Sequence, residues 1–110
     1  MAKKFGFVVL NYNNYEETIE CVESILTVSG SNYFIVIVDN DSPNNSFEVL
    51  LGRYSNYINI KVIPSGRNSG YSYGNNCGIK FLNSINIYNV IIATSDTLVV
   101  SKDILQQLER

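Results

Sequence analysis

Residues 5–14 read Phe-Gly-Phe-Val-Val-Leu-Asn-Tyr-Asn-Asn, and this stretch decides the class of fold. It is apolar up to Leu10 except for Gly6. Such a continuous apolar run is typical of a strand buried on both faces. The polar residues that follow end the strand, and Asn14 with Glu17 forms a capping-box-like pair that begins a helix. A buried strand that leads at once into a helix predicts an α/β fold.

The same succession repeats along the chain. Further strands are predicted at 34–38, 59–63 and 89–93, and further helices at 46–54, 71–85 and 102–110. Because right-handed crossovers join such strands, the β-α-β-α-β-α-β-α order predicts a mostly parallel sheet with helices on both faces. The order of the strands in the sheet cannot be read from this pattern. The length places residues 1–110 in a single domain.

Two features of the predicted helices bear on the core. Four apolar residues of the first helix follow the spacing of one helical face, which should pack on the sheet: Tyr15, Ile19, Val22 and Leu26. The two cysteines, Cys21 and Cys77, fall in different predicted helices. Both are expected to be reduced and buried, as suits an intracellular protein.

Composition excludes several classes of function. With a net charge of −2 and 16% charged residues, the chain has no basic footprint for nucleic acid. Histidine is absent and no Cys-x-x-Cys pair occurs, which excludes zinc fingers, most catalytic zinc sites and His-activated nucleophiles. No apolar stretch approaches the ~20 residues of a membrane span, and no secretory signal precedes the first strand. We therefore expect a soluble, cytoplasmic domain, with membrane association through another part of a longer enzyme left open.

A glycine-rich stretch begins the third helix. Gly70, Gly74 and Gly78 are spaced by four, which matches neither the Gly-x-Gly-x-x-Gly dinucleotide motif nor a P-loop. This spacing puts the three glycines on one helical stripe, although each interior glycine costs a helix about 1 kcal/mol against alanine. Two interpretations are open: the helix packs tightly on the sheet, or Asn68 and the helix start border a ligand.

Carboxylates follow two of the predicted strands. Asp39 and Asp41 come after the second strand, and Asp96 comes after the fourth. Ligands of open α/β sheets bind at the carboxyl ends of the strands. A carboxylate there can accept hydrogen bonds from a base or ribose, and Mg²⁺ needs only one or two carboxylates beside substrate phosphates. The structural alternatives are an Asx-turn for Asp39 and a turn or helix cap for Asp96.

Four motifs occur in an order that resembles a known family. They are Val8-Val9-Leu10-Asn11-Tyr12-Asn13, Val38-Asp39-Asn40-Asp41-Ser42, Asn68-x-Gly70-Tyr71-x-x-Gly74-Asn75-Asn76-x-Gly78-Ile79 and Ser95-Asp96-Thr97. Together they are similar to the nucleotide-sugar-binding part of family 2 glycosyltransferases with the GT-A fold, a Rossmann-like domain. Within that family the chain most resembles the rhamnosyltransferase-like enzymes of bacterial polysaccharide synthesis. The resemblance extends over nearly all 110 residues.

The resemblance also implies roles for individual residues on the donor side of the site. The backbone at Leu10 and Asn11 would border the nucleotide base, and Asp39 would accept a hydrogen bond from the base ring N–H. Three further residues would lie beside the donor nucleotide: Asp41, Asn68 and Gly70. Asp96 matches the last acid of an Asp-x-Asp-like motif that holds Mg²⁺ or Mn²⁺ on the diphosphate. The family usually has Asp or Asn at the first position of that motif, so Thr94 weakens the expected metal site.

The resemblance implies transfer of a sugar from a nucleotide-diphosphate donor to an acceptor hydroxyl in polysaccharide or glycan synthesis, with inversion. In the family, the acceptor site and general base come after the segment that matches this chain. No catalytic residue is therefore predicted up to Arg110, and the 110 residues alone are expected to transfer no sugar. The first alternative is a catalytically incompetent binding or regulatory subunit derived from such an enzyme.

Two further alternatives do not derive from a glycosyltransferase. The first is a phospho-receiver-like domain, but such a domain would need acids after the first strand, where the chain has Asn11-Tyr12-Asn13. The second is a small doubly wound domain of unrelated function. An incomplete sheet would also leave an edge exposed, and a homodimer is one expected way to cover it.

Overall fold

The computed structural model describes residues 4–27 and 32–93. Its elements are β1 (Phe5–Asn11), α1 (Tyr15–Leu26), β2 (Tyr33–Asp39), α2 (Ser46–Tyr54), β3 (Ile60–Pro64), α3 (Tyr71–Ser84) and β4 (Asn89–Ala93). Each strand and helix predicted in this part of the chain is present, and the strands and the second and third helices have ends that differ by at most one residue. The first helix was predicted to end at Gly30, whereas α1 ends at Leu26. The predicted last helix, 102–110, lies outside the described residues.

The four strands form one parallel sheet in the order β3-β2-β1-β4. The predicted parallel sheet is therefore confirmed, and β1 lies in its interior with β2 on one side and β4 on the other. Asn11 of β1 pairs with Asp39 of β2, which in turn pairs with Pro64 of β3. Because the strands are parallel and in this register, the carboxyl ends of β1, β2 and β3 lie level at one edge of the sheet.

Helices cover both faces of the sheet, as predicted. Phe7 and Val9 of β1 belong to the core beneath α1 and α2, together with Ile25 and Leu50. The alternate residue Val8 belongs to the opposite core, beneath α3, with Val38 and Leu82. Side chains alternate between the two faces of a strand. The continuous apolar run of β1 follows directly from this double burial, since a strand with one solvated face would alternate with polar residues.

The buried face of α1 differs from the predicted one. Its fully buried residues are Thr18, Cys21, Val22 and Ile25, whereas Tyr15, Ile19 and Leu26 are only partly buried around them. The apolar pattern missed Thr18 because a hydroxyl is not expected on a core face. Its burial is possible because the hydroxyl has hydrogen-bond partners inside the protein.

Both cysteines are free thiols, as predicted, but only Cys21 is fully buried. Cys77 lies on the flank of α3 and is half-buried.

A polar contact joins α1 to α2. The Tyr54 hydroxyl donates a hydrogen bond of 2.8 Å to Glu23 Oε2, and Arg53 lies 3.6 Å from the same carboxylate oxygen. Burial of the ring, aided by the bond to Glu23, raises the pKa of Tyr54 above its usual range. The hydroxyl therefore stays protonated and remains a donor at neutral pH.

Two of the three spaced glycines allow α3 to lie close against the sheet. A β-carbon added at Gly78 would come within 2.6 Å of Val8 Cγ1, and one added at Gly74 would overlap Leu10 Cδ1. Both positions thus follow the tight-packing interpretation. Gly70 is different, because it precedes the first residue of α3 and has a φ of +94° with open space around it. Its backbone conformation, rather than packing, favours glycine.

Within the described residues, no helix is long and apolar enough to span a lipid bilayer.

The close approach of α3 predicts opposite effects for two Gly→Ala substitutions. Gly74→Ala should lower the free energy of unfolding by about 1–3 kcal/mol, because the new methyl group overpacks the contact with Leu10. The matched control is Gly52→Ala in α2, where a β-carbon would meet nothing within 4 Å. That change should stabilise the protein by about 0.5–1 kcal/mol through helix propensity. Urea denaturation measures both, and equal stability of the two variants would contradict the packing argument.

Candidate functional site

The level ends of β1, β2 and β3 bring polar residues from three connections to one edge of the sheet. The Asn40 backbone N–H donates to the carbonyl oxygen of Asn11 at 2.8 Å, and the Ser65 N–H donates to that of Asp39 at 2.9 Å. These bonds continue the parallel pairing for one residue beyond the strands. They fix the spacing of the three connections before any side chain contributes.

Asp39 is the centre of a buried hydrogen-bond network at this edge. The residue is only 4% exposed. Its Oδ1 accepts hydrogen bonds from Asn11 Nδ2 at 2.9 Å and from Ser42 Oγ at 2.6 Å, and its Oδ2 accepts from the Ser42 N–H at 3.1 Å. The bonds to Ser42 close the loop after β2, as the turn interpretation of Asp39 expected. A buried carboxylate requires such partners, since its desolvation is otherwise costly.

Asn11 connects this network to α1. It is 1% exposed, and its Oδ1 accepts a hydrogen bond of 2.6 Å from the buried Thr18 hydroxyl. Its Nδ2 donates to Asp39 Oδ1, and Ser42 Oγ lies 3.4 Å from the same nitrogen. The side-chain amide of Asn11 is thus fully used inside the protein. Apart from that side chain, the backbone of Asn11 and the half-buried Leu10 lie at this edge.

The loops after β1 and β2 are joined to each other. The Asn13 N–H donates to Ser42 Oγ at 2.7 Å, and Asn44 Nδ2 donates to the Asn13 carbonyl oxygen at 3.3 Å. Asn13 and Asp41 both have a φ of 60°, a left-handed conformation that Asn and Asp tolerate better than most residues. Asp41 is exposed at the tip of its loop. The predicted donor-side carboxylate therefore faces solvent rather than the core.

The loop between β3 and α3 reaches the same edge through Asn40. Asn40 Nδ2 lies 3.1 Å from Asn68 Oδ1 and 3.4 Å from the Gly70 carbonyl oxygen. Asn68 and Gly70 are themselves exposed. Next to them the Arg67 guanidinium lies over the Tyr73 ring, 4.6 Å from its centroid.

Of the six residues that the sequence predicted on the donor side, the structure brings five to this edge: Leu10, Asn11, Asp39, Asn68 and Gly70. The sixth, Asp41, lies in the loop after Asp39 with its side chain exposed. The predicted metal ligand Asp96, with Thr94, lies outside the described residues.

Four residues that hold this edge together were not among the predicted site residues, although two of them belong to the quoted motif that begins at Val38: Thr18, Asn40, Ser42 and Ser65. The spacing of Asp39 and Ser42 is a signal for a side-chain turn and would have found Ser42. Nothing in the sequence singles out Thr18 or Ser65, because the role of Thr18 depends on how α1 packs against the end of β1, and that of Ser65 on its contact with the distant Asn40.

The described residues do not fit a complete metal site. In residues 4–27 and 32–93, no group of three or more His, Cys, Asp or Glu side chains is placed to hold an ion. Of the two carboxylates at the edge, Asp39 already accepts three hydrogen bonds. The other carboxylate, Asp41, is exposed.

The sequence of this chain matches the model of a known protein family. The family model described as glycosyl transferase family 2 matches residues 7–110. The chain therefore belongs to glycosyl transferase family 2, as its motifs predicted.

A curated relative supports this assignment. The low-salt glycan biosynthesis hexosyltransferase Agl10 of Haloferax volcanii is 33% identical over 105 residues, which are 94% of this chain and 31% of that protein.

Solved structures share the fold. The Pyrobaculum calidifontis mannosyltransferase PcManGT, in complex with GDP-Man and Mn²⁺, has a TM-score of 0.81 at 14% identity, over 99% of this chain and 32% of that one. S. aureus TarS 1–349 with UDP-GlcNAc has a TM-score of 0.73 at 24% identity, over 96% of this chain and 30% of that one. The predicted GT-A class is confirmed. The chain spans about a third of the length of these relatives.

The buried network predicts a measurable role for the Thr18 hydroxyl. Thr18→Val keeps the side-chain shape but leaves Asn11 Oδ1 without its 2.6 Å donor. The free energy of unfolding should fall by about 1–3 kcal/mol, the usual cost of an unsatisfied buried polar group. Thr27→Val is the control, because Thr27 is exposed and water can replace the hydrogen bond of its hydroxyl to the Ser24 carbonyl oxygen. It should change stability by less than about 0.5 kcal/mol. Chemical denaturation of both variants decides the matter, and a neutral Thr18→Val would count against the network.

Proposed function

We propose that this chain forms the donor-binding part of a glycosyltransferase and binds a nucleotide-diphosphate sugar at the edge formed by β1, β2 and β3. One observation carries the proposal: the Asp39 carboxylate is fixed at the strand ends, joined through Asn40 to the exposed Asn68 and Gly70. In an open α/β sheet this edge is the usual place for a ligand.

The hydrogen bonds of Asp39 suit it to recognise a base. Oδ1 already accepts two hydrogen bonds, whereas Oδ2 accepts one, from the Ser42 N–H. A carboxylate oxygen has room for a second donor, so Oδ2 can take the ring N–H of a nucleotide base. The bond would be strong, because its acceptor is charged and shielded from water. The backbone at Leu10 and Asn11 would then border the base.

The class of donor is supported by the related structures. Those of PcManGT and TarS contain GDP-Man and UDP-GlcNAc, respectively. A nucleotide-diphosphate sugar is therefore the first ligand class to test on this chain, with both uridine and guanosine diphosphates as probes.

The reaction that we propose for the complete enzyme is sugar transfer in polysaccharide or glycan synthesis. The acceptor hydroxyl attacks the anomeric carbon and loses its proton to a general base, while the bond from that carbon to the diphosphate oxygen breaks, with inversion. We assign no general base among residues 4–27 and 32–93, since Asp39 and Asp41 belong to the donor side. A rhamnosyltransferase-like subgroup, a homodimer, a cytoplasmic location and inactivity of the 110 residues alone stay predictions.

Nucleotide binding through Asp39 is directly testable. Isothermal titration calorimetry with UDP, GDP and dTDP should detect binding of at least one of them. Asp39→Asn should weaken that binding by about tenfold or more, since a hydrogen bond to a charged group is lost. Glu48→Gln, which removes an exposed carboxylate on α2, should leave the affinity unchanged. Circular dichroism of both variants checks the fold, and an Asp39→Asn variant that binds as tightly as the parent would refute the assignment.

The metal prediction for Asp96 has its own test. Adding Mn²⁺ should raise the affinity of the unsubstituted chain for the nucleotide diphosphate, because an ion held by Asp96 would neutralise phosphate charge. In Asp96→Asn most of this gain should disappear, while affinity without metal stays the same. Glu48→Gln again serves as the control for loss of one carboxylate. An equal response to Mn²⁺ in all three proteins would show that Asp96 holds no ion.

A further inference from the structure

Asn40 is a buried side chain whose amide is used at both ends. The residue is 3% exposed and follows β2 directly. Its Nδ2 donates to Asn68 Oδ1 at 3.1 Å and lies 3.4 Å from the Gly70 carbonyl oxygen, while its Oδ1 accepts from Ser65 Oγ at 2.9 Å. Asp39 lies on the α1 and α2 side of the sheet, so its neighbour Asn40 lies on the side of α3. Two consecutive residues thus hold the loops on opposite faces.

The orientation of both amides follows from backbone groups, whose chemistry is unambiguous. The Gly70 carbonyl can only accept, so the Asn40 atom that faces it must be the nitrogen. The Gly70 N–H can only donate, and it lies 3.4 Å from the Asn68 atom that also accepts from Asn40, so that atom must be the oxygen. Asn68 therefore turns its carbonyl inward, and its exposed amide presents the two N–H groups of Nδ2.

We propose that Asn40 is a positioning residue that makes Asn68 a hydrogen-bond donor to an oxygen of the bound nucleotide diphosphate. The inference rests on the proposed function and adds to it the polarity of one recognition contact. Asn40 is buried and acts only through Asn68. The ligand atom that Asn68 takes is an acceptor, such as a carbonyl oxygen of the base or an oxygen of the diphosphate.

The role of Asn40 arises because a side-chain amide has nearly the same shape in its two orientations. Only its hydrogen-bond partners decide whether oxygen or nitrogen points outward. With Nδ2 outward, Asn68 attracts an acceptor oxygen. With Oδ1 outward, the same residue would place one acceptor against another, and the contact would become repulsive.

Two variants of equal shape remove the outward donor by different routes. Asn40→Asp replaces the inward-facing nitrogen with an oxygen, which repels the Asn68 carbonyl and favours turning Nδ2 inward, against the preference of the Gly70 N–H for an oxygen. Asn68→Asp keeps an oxygen that accepts from Asn40 Nδ2 and from the Gly70 N–H, but its outward atom also becomes oxygen. The matched control is Asn56→Asp, an exposed residue between α2 and β3 at the opposite edge of the sheet.

Calorimetry with UDP, GDP and dTDP tests the affinities, and circular dichroism checks the fold of each variant. Both Asn40→Asp and Asn68→Asp should weaken nucleotide binding by about tenfold or more, whereas Asn56→Asp should stay within about twofold. Because Asn68→Asp also brings a negative charge beside the diphosphate, weaker binding of this variant alone does not separate a positioning role of Asn40 from a purely structural one. The following measurement separates them, and it needs neither variant to fold.

Nitrogen-15 NMR of the unsubstituted protein gives a signature that a structural role would not produce. On addition of the nucleotide, the side-chain NH₂ protons of Asn68 should shift downfield as they enter a hydrogen bond. The same shift with the uncharged nucleoside alone places the acceptor on the base or ribose, and a shift with pyrophosphate alone places it on the diphosphate. Binding without any shift of these signals, or unweakened binding by both variants, would overturn the inference and leave the proposed function standing. Failure of the unsubstituted protein to bind any of the three nucleotides would overturn both.

Discussion

The hydrogen bond between Asn11 Nδ2 and Asp39 Oδ1 is the interaction on which the edge formed by the ends of β1, β2 and β3 depends. It joins the last residues of two neighbouring parallel strands, and both residues are almost completely buried. A buried carboxylate without partners would cost several kcal/mol, roughly the scale of a domain's whole stability. The amide of Asn11 and the hydroxyl and N–H of Ser42 supply those partners, and Thr18 then completes the hydrogen bonding of Asn11. The charge at the site is thus held by the same bonds that close the loops.

The helix α3 also contributes to the arrangement of this edge, because it brings the loop that precedes it there. Gly74 and Gly78 remove the β-carbons that would keep the helix away from Leu10 and Val8. The close approach in turn places Gly70 and Asn68 within reach of the Asn40 amide. A property of helix packing therefore decides which polar groups can meet a ligand, although neither interior glycine needs to touch it.

Local signals made most of the fold predictable from the sequence. The apolar run up to Leu10 predicted a doubly buried strand, and Asn14 does cap α1, accepting a hydrogen bond from the Glu17 N–H at 3.3 Å. The strand order could not be predicted from local signals, because it depends on which side of β1 each later strand joins. Donor-side residues were predicted through family motifs, whereas Thr18 was missed because it stands among apolar neighbours on a core face. The predicted helix at 71–85 already placed Gly70 before its first residue, but the positive φ of Gly70 was not predicted.

The register of the sheet has a consequence for how the protein is maintained. Displacing β1 by one residue against β2 would turn every β1 side chain to the opposite face, so Asn11 would point away from Asp39. The core opposes such a slip where Leu82 packs against Gly6, because a β-carbon at that position would lie too close to Leu82. The polar pair at the strand ends adds to this discrimination, since only one register satisfies it. A nucleotide that recognises this pair would bind only correctly paired chains, and by mass action it would draw the population toward them.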